Sequence, residues 1–125
     1  MSEELSGKAR LLLVDDDEDL LFLMSNKLTK EGYAVNVSHN GEHLDEIINA
    51  YHPDVILLDI HMNGINGGDI CRKLKEQIQT KDIPVLLLSA NHNVSEIARG
   101  CGADGHFSKP LQVNLLTEKI NAVTH

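Results

Sequence analysis

The sequence predicts an α/β fold in which five strands and five helices alternate, a (βα)5 chain that packs as a three-layer sandwich around a parallel sheet. Short apolar runs predict the strands, because strands with helices on both faces are hydrophobic throughout rather than alternating. Between these runs the apolar residues recur at helical spacing. Glycine, proline and asparagine residues mark turns at the joints between the two kinds of segment, as Asn66-Gly67-Gly68 does before the third helix.

The strands and helices can be placed in chain order. The predicted strands are residues 11–14, 34–37, 55–58, 85–88 and 105–108. The second is a weaker apolar run, so we expect it near an edge of the sheet. The predicted helix stripes are, in order, Leu20, Leu23, Met24 and Leu28; Leu44, Ile47, Ile48 and Tyr51; Ile70 and Leu74; Val94, Ile97, Ala98 and Cys101; and Val113, Leu116, Ile120 and Val123. Each stripe is an apolar face that a helix can pack on the sheet.

Length and composition indicate one domain, residues 1–125 with a core from about 10 to 123. A net charge of −8 with scattered basic residues disfavours nucleic acid as a partner and favours proteins. The sequence has no secretory signal pattern and no run near the roughly 20 apolar residues of a membrane helix. We therefore expect a monomer in the cytoplasm without membrane association. Cys71 and Cys101 lack C-x-x-C spacing, so we expect small core residues rather than a disulfide or zinc site.

A polar group follows four of the five predicted strands. Asp15 and Asp16 follow the first, Asp59 the third, Ser89 the fourth and Lys109 the fifth. The carboxyl ends of parallel strands meet at one edge of a sheet, so we expect these side chains to share one pocket. Three carboxylates, a hydroxyl and an ammonium group suit the binding of a divalent cation and a phosphoryl group.

These residues resemble the receiver domain of two-component response regulators, and the likeness covers residues 10–123. It rests on Asp15-Asp16, on Asp59 in the segment V-I-L-L-D-I-H-M-N-G-I-N-G-G, on Ser89-Ala90 and on Lys109-Pro110. The resemblance implies a flavodoxin-like sheet with strand order 2-1-3-4-5 and a cis Lys109–Pro110 peptide bond. The organisation resembles that of a single-domain regulator of the chemotaxis type. Asn63 departs from the family, which usually carries proline there.

The resemblance implies that Asp59 accepts a phosphoryl group from the phosphohistidine of a histidine kinase or a histidine phosphotransfer protein. Crowded carboxylates raise one another's pKa, and bound Mg²⁺ resolves that conflict. The implied ligands are Asp16 and Asp59 directly, Asp15 through a water molecule, and the backbone carbonyl of His61. Such a domain promotes only its own phosphorylation and slow dephosphorylation, so it is a signalling module and not an enzyme.

Lys109 and Ser89 complete the implied catalytic set. Lys109 would hold Asp59 before the reaction, and both side chains can bind phosphoryl oxygens. In the family the serine position also draws its loop inward, and a ring on strand five, here His106, follows it. Tyr or Phe is more usual there, which leaves open a weaker coupling or one that depends on pH. Helix four, strand five and helix five are the implied docking face for a downstream protein. His61 and Asn91 would set the lifetime of the phosphorylated state.

Other functions remain open to the same residues. A small hydrolase of the haloacid dehalogenase type also uses a strand-end Asp, a Ser or Thr, a Lys and Mg²⁺, but it needs a second acidic pair and usually a cap. A flavin-binding module places phosphate on the loop after strand one, where this chain has five acids at residues 15–19. A receiver-like module that binds partners without phosphorylation is excluded less firmly, because intact residues do not prove that a kinase exists.

Overall fold

A computed structural model describes residues 8–62, 64–90 and 94–124 of the chain. Asn63 and Asn91 lie outside these described residues, as does the side chain of Val94, so the expectations for them stay predictions. Within the described residues, no helix combines the length and the apolar character needed to cross a bilayer.

Five parallel strands form the central sheet: β1 Arg10–Val14, β2 Ala34–Ser38, β3 Val55–Asp59, β4 Val85–Ser89 and β5 Gly105–Ser108. Their order across the sheet is β2-β1-β3-β4-β5, which confirms the predicted order and the edge position of the second strand. All residues of β3 and β4 are buried, as expected for parallel strands covered on both faces. The edge strand β2 has only Ser38 buried.

Five helices connect and follow these strands: α1 Glu18–Lys30, α2 Leu44–Tyr51, α3 Gly67–Glu76, α4 Val94–Cys101 and α5 Val113–Val123. Asp17 caps α1, since its Oδ1 accepts a hydrogen bond from the Leu20 N–H at 3.1 Å. Glu18 and Asp19 occupy the first turn, where carboxylates oppose the positive end of the helix dipole. Three of the five acids after β1 are therefore accounted for by the start of α1.

The core has two parts, one on each face of the sheet. Buried side chains of α2, α3 and α4 pack on one face, and those of α1 and α5 pack on the other. This confirms the three-layer sandwich. Cys71 and Cys101 are free and buried, as predicted, and the Cys71 thiol donates a hydrogen bond to the Cys101 carbonyl oxygen at 3.6 Å.

The buried stripe of α1 differs from the predicted one. Leu21, Met24 and Leu28 are buried, whereas Leu23, a predicted core residue, is 51% exposed. Residues 20–24 are all apolar, so their pattern does not define which face of the helix points inward. The core prediction for Leu23 was wrong because packing on the sheet selects the face that contains Leu21.

The connection between β3 and α3 contains a small antiparallel hairpin that the sequence did not predict. His61–Met62 pairs with Ile65–Asn66, and Gly64 lies in the turn with a φ of 76°. Gly67 follows directly, and a Cβ atom on it would overlap the backbone carbonyl oxygen of Asp59. Because a side chain has no room there, α3 can begin in direct contact with the end of β3.

Candidate functional site

The predicted site residues lie at the carboxyl edge of the sheet, where parallel strands end together. The β1–β3 register places Asp15 beside Asp59, and the β3–β4 register places Ser89 just past Asp59. The backbone N–H of Lys109 donates a hydrogen bond to the carbonyl oxygen of Ser89 at 2.8 Å. The Lys109–Pro110 peptide bond is cis, as predicted.

Three carboxylates occupy the centre of this edge. One oxygen atom from each of Asp15, Asp16 and Asp59 lies within 4.8 Å of the other two. Asp15 is 1% exposed and Asp59 is 3% exposed, whereas Asp16 is half-buried. Negative charges at this separation repel one another, so the ionised cluster needs protons or cations nearby.

Lys109 supplies one such positive charge. Its Nζ lies 2.9 Å from Oδ2 of Asp15 and 3.6 Å from Oδ1 of Asp59. Burial lowers the pKa of Lys109, but the hydrogen bond and charge of Asp15, with the charges of Asp59 and Asp17, outweigh burial and raise it overall. The sequence assigned this lysine to Asp59. It missed the shorter pair with Asp15, because strand-end spacing does not show which of two adjacent carboxylates is nearer.

The surroundings of Asp59 favour its protonated form. Burial first, and then the charge of Asp15, raise the pKa of Asp59 from 3.8 to about 6, while Lys109 and a hydrogen bond from the His61 backbone oppose the rise. That N–H of His61 donates to Oδ1 of Asp59 at 3.4 Å. Asp59 is therefore mostly ionised at neutral pH and loses its charge in mild acid.

The donor set fits a hard divalent cation. Carboxylate oxygens are the ligands that Mg²⁺ prefers in proteins, and three of them converge here. Lys109 alone does not balance their charge, because one ammonium group faces three carboxylates. A cation among Asp15, Asp16 and Asp59 would relieve that repulsion. The backbone of His61 is close to the same cluster, since its N–H already contacts Asp59.

A cavity of about 480 Å³ opens beside the carboxylates and is lined by Asp16, His61, Met62, Gly64, Ile65 and Asn66. A larger cavity of about 750 Å³ lies at the opposite edge of the sheet, where the strands begin, and it includes none of the predicted site residues. We therefore locate the site by its converging charged groups and not by cavity size.

Ser89 and His106 lie on neighbouring strands in different environments. Ser89 is completely buried at the end of β4, whereas the His106 side chain is exposed on the edge strand β5. In the β4–β5 register Ser89 pairs with Ser108, and Leu87 pairs with His106. His106 is thus paired with the residue that lies two positions before Ser89 in β4.

Comparison with known sequences identifies relatives of this chain. The model of the response regulator receiver domain matches residues 11–121. The transcriptional regulatory protein AfsQ1 of Streptomyces coelicolor is 32% identical over 115 residues, which cover 90% of this chain and 50% of that protein. The response regulator PleD of Caulobacter vibrioides is 36% identical over 118 residues, which cover 93% of this chain and 26% of that protein. The chain thus spans half or less of these curated relatives.

Solved structures agree with the sequence comparison. The Vibrio cholerae chemotaxis protein CheY4 superposes with a TM-score of 0.83 at 25% identity, covering 94% of this chain and 99% of that one. The response regulator TrrA of Thermotoga maritima, solved in complex with Mg²⁺–BeF, gives a TM-score of 0.81 at 29% identity and covers 93% of this chain and 99% of that one. With the family match over residues 11–121, these likenesses establish that the chain belongs to the response regulator receiver domain family of two-component systems.

Proposed function

We propose that Asp59 accepts a phosphoryl group from the phosphohistidine of a histidine kinase or a histidine phosphotransfer protein, in a reaction that depends on Mg²⁺. The observation that carries this proposal is the position of Asp59, which is buried beside Asp15, Asp16 and the Lys109 ammonium group. Receiver domains are signalling domains. We propose accordingly that this chain promotes only its own phosphorylation and a slow dephosphorylation.

In the proposed reaction an ionised oxygen of Asp59 attacks phosphorus in line, an O–P bond forms, and the P–N bond to the donor imidazole breaks. The attacking carboxylate form predominates above the Asp59 pKa of about 6. Lys109 lies where it can offset the negative charge that develops on the phosphoryl oxygens. The residues that would hold Mg²⁺ are Asp15, Asp16, Asp59 and the His61 carbonyl, and the ion supplies further charge neutralisation when bound.

Intact-mass spectrometry tests the acceptor role. After incubation with acetyl phosphate, we expect the wild type to gain about 80 Da only when Mg²⁺ is present, the mass of one phosphoryl group. Asp59→Asn should show no gain. Asp69→Asn, which changes an exposed aspartate on α3, should behave like the wild type.

Two results of this experiment would contradict the proposal in different ways. No adduct on the wild type would favour a receiver-like module that binds partners without phosphorylation. Continuous consumption of acetyl phosphate without a lasting adduct would favour a hydrolase of the haloacid dehalogenase type.

We propose further that the phosphorylated state changes the surface formed by α4, β5 and α5, which docks a downstream protein. Ser89 would donate its hydroxyl to a phosphoryl oxygen, and His106 would respond on the next strand. The register of β4 and β5 supports this route, because it connects the buried serine to an exposed ring over a short distance. His61 and Asn91 would control how long the phosphoryl group survives.

The switch can be tested with beryllofluoride, a phosphoryl mimic, in the presence of Mg²⁺. We expect the amide resonances of residues 89–117 to shift in the wild type and not in Asp59→Asn. Fluorine NMR shows independently whether the mimic is bound. The amides of α2 provide an internal reference, because this helix precedes β3 in the chain and lies outside residues 89–117. Unchanged amides over residues 89–117 with the mimic bound would rule out the switch.

We propose that the chain works as a monomer in the cytoplasm and passes its signal to a separate protein, either as an adaptor or as a phosphorelay intermediate. One feature supports the proposed location, since Cys71 and Cys101 are buried free thiols, as in proteins of a reducing compartment. Light scattering before and after phosphorylation tests the monomeric state, and a stable dimer in both states would contradict it.

A further inference from the structure

We propose that Asn66 is a positioning residue of the metal site, whose side chain holds in place the backbone that carries the His61 carbonyl. This inference rests on the proposed function, because it concerns a ligand of the Mg²⁺ used in phosphoryl transfer. The segment concerned joins Asp59 to the first turn of α3 and is here named the β3–α3 loop; its described residues are 60–62 and 64–67.

Asn66 connects the two ends of this loop. Its backbone lies directly opposite His61 in the antiparallel hairpin. Its side-chain Oδ1 accepts a hydrogen bond from the Gly68 N–H at 2.7 Å, which makes Asn66 the N-cap of α3. The position of His61 is thus linked through one residue to the first turn of the helix.

That first turn is itself fixed to the ends of the strands. The Gly67 N–H donates to the Ile60 carbonyl oxygen at 2.7 Å, and the Ile60 N–H donates to the Leu88 carbonyl oxygen at 3.0 Å. A side chain at Gly67 would overlap the backbone of Asp59, so helix and strand meet without a gap. A residue anchored to this turn is therefore anchored relative to Asp59.

Asn66 also borders the metal site directly. It lines the cavity of about 480 Å³ together with Asp16 and His61. Asparagine and aspartate both cap helices well, but asparagine is neutral. Asn66 therefore orders the loop without adding a fourth negative charge beside carboxylates that already repel one another.

The energetic consequence is preorganisation of the loop. Without the cap, the β3–α3 loop would populate conformations in which the His61 carbonyl is displaced from the carboxylates. The apparent dissociation constant for Mg²⁺ rises in inverse proportion to the fraction of molecules in the binding conformation. Loss of a cap can change such a conformational equilibrium by a factor of about five to ten.

Calorimetric titration of the metal-free protein with Mg²⁺ tests this role. We expect Asn66→Ala to bind Mg²⁺ more weakly than the wild type, with about five- to tenfold as the upper limit of the loss. Asn66→Ser should stay within about twofold of the wild type, because serine is also a good N-cap. Thr80→Val is the matched control at the other end of the same helix, where the Thr80 hydroxyl donates to the Leu74 carbonyl oxygen at 2.6 Å.

Thermal unfolding of each variant separates positioning from stability. We expect both Asn66→Ala and Thr80→Val to unfold at lower temperature, and only Asn66→Ala to lose Mg²⁺ affinity. Wild-type affinity in Asn66→Ala, or an equal loss in Thr80→Val, would overturn the proposal. The titration needs no phosphodonor. If the wild type gained no mass from acetyl phosphate but the titration results held, the phosphoryl function would fail and the positioning role would stand.

Discussion

Phosphorylation of Asp59 is expected to be about a hundredfold slower in Lys109→Ala than in the wild type. The variant lacks the ammonium group that lies 2.9 Å from Asp15 and 3.6 Å from Asp59. In a loose phosphoryl-transfer transition state, negative charge spreads over the equatorial oxygens, and a cation already in place stabilises it. Loss of Lys109 also removes an influence that lowers the pKa of Asp59, so less of the attacking carboxylate is present at neutral pH.

Mg²⁺ affinity should respond in the opposite direction. Removing a positive charge beside three carboxylates strengthens cation binding, so Lys109→Ala is expected to bind Mg²⁺ at least as tightly as the wild type. Timed intact-mass measurements at saturating Mg²⁺ give the rate, and calorimetry gives the affinity. Lys81→Ala, which removes an exposed lysine at the other edge of the sheet, is the control. A rate in Lys109→Ala within about twofold of the wild type would show that the lysine has no electrostatic role in transfer.

The architecture could be predicted from sequence because burial on both faces gives parallel strands a distinctive pattern. The runs that became β3 and β4 are apolar throughout, and each ends on a polar residue, Asp59 or Ser89, at the same edge of the sheet. Topology then brings residues that are far apart in sequence into one place. The convergence of Asp15, Asp16 and Asp59 is a consequence of strand order, which is why it could be anticipated.

The details that could not be predicted depend on local geometry. The hairpin at residues 61–66 involves only two pairs of residues, too few for a period-two pattern to be visible. The preference of Lys109 for Asp15 is a difference of less than an ångström between two ion-pair distances. The capping role of Asn66 did have a signal, since asparagine just before a helical apolar stripe is a typical N-cap. That signal was interpreted only as a turn.

The second large effect expected is on stability. Without metal and at about pH 7.5, Asp59→Asn should be more stable than the wild type by about 1–3 kcal/mol. Folding places Asp59 where burial and Asp15 raise its pKa from 3.8 to about 6. Between pH 3.8 and about pH 6, the folded state therefore binds more protons than the unfolded state. The free energy of unfolding of the wild type therefore falls as pH rises through this window, and it remains lower above the window.

The asparagine side chain does not ionise, so the free energy of unfolding of Asp59→Asn does not fall in this window. The variant keeps the ion pair between Lys109 and Asp15. The advantage of the variant should be small near pH 4, grow through about pH 6 and level off above that. Urea unfolding in EDTA at several pH values measures it, with Asp82→Asn as a control for removing an exposed negative charge. Added Mg²⁺ should stabilise the wild type more than Asp59→Asn, because the variant lacks one ligand. An advantage independent of pH, or a variant less stable than the wild type at about pH 7.5, would mean that folding does not raise the pKa of Asp59.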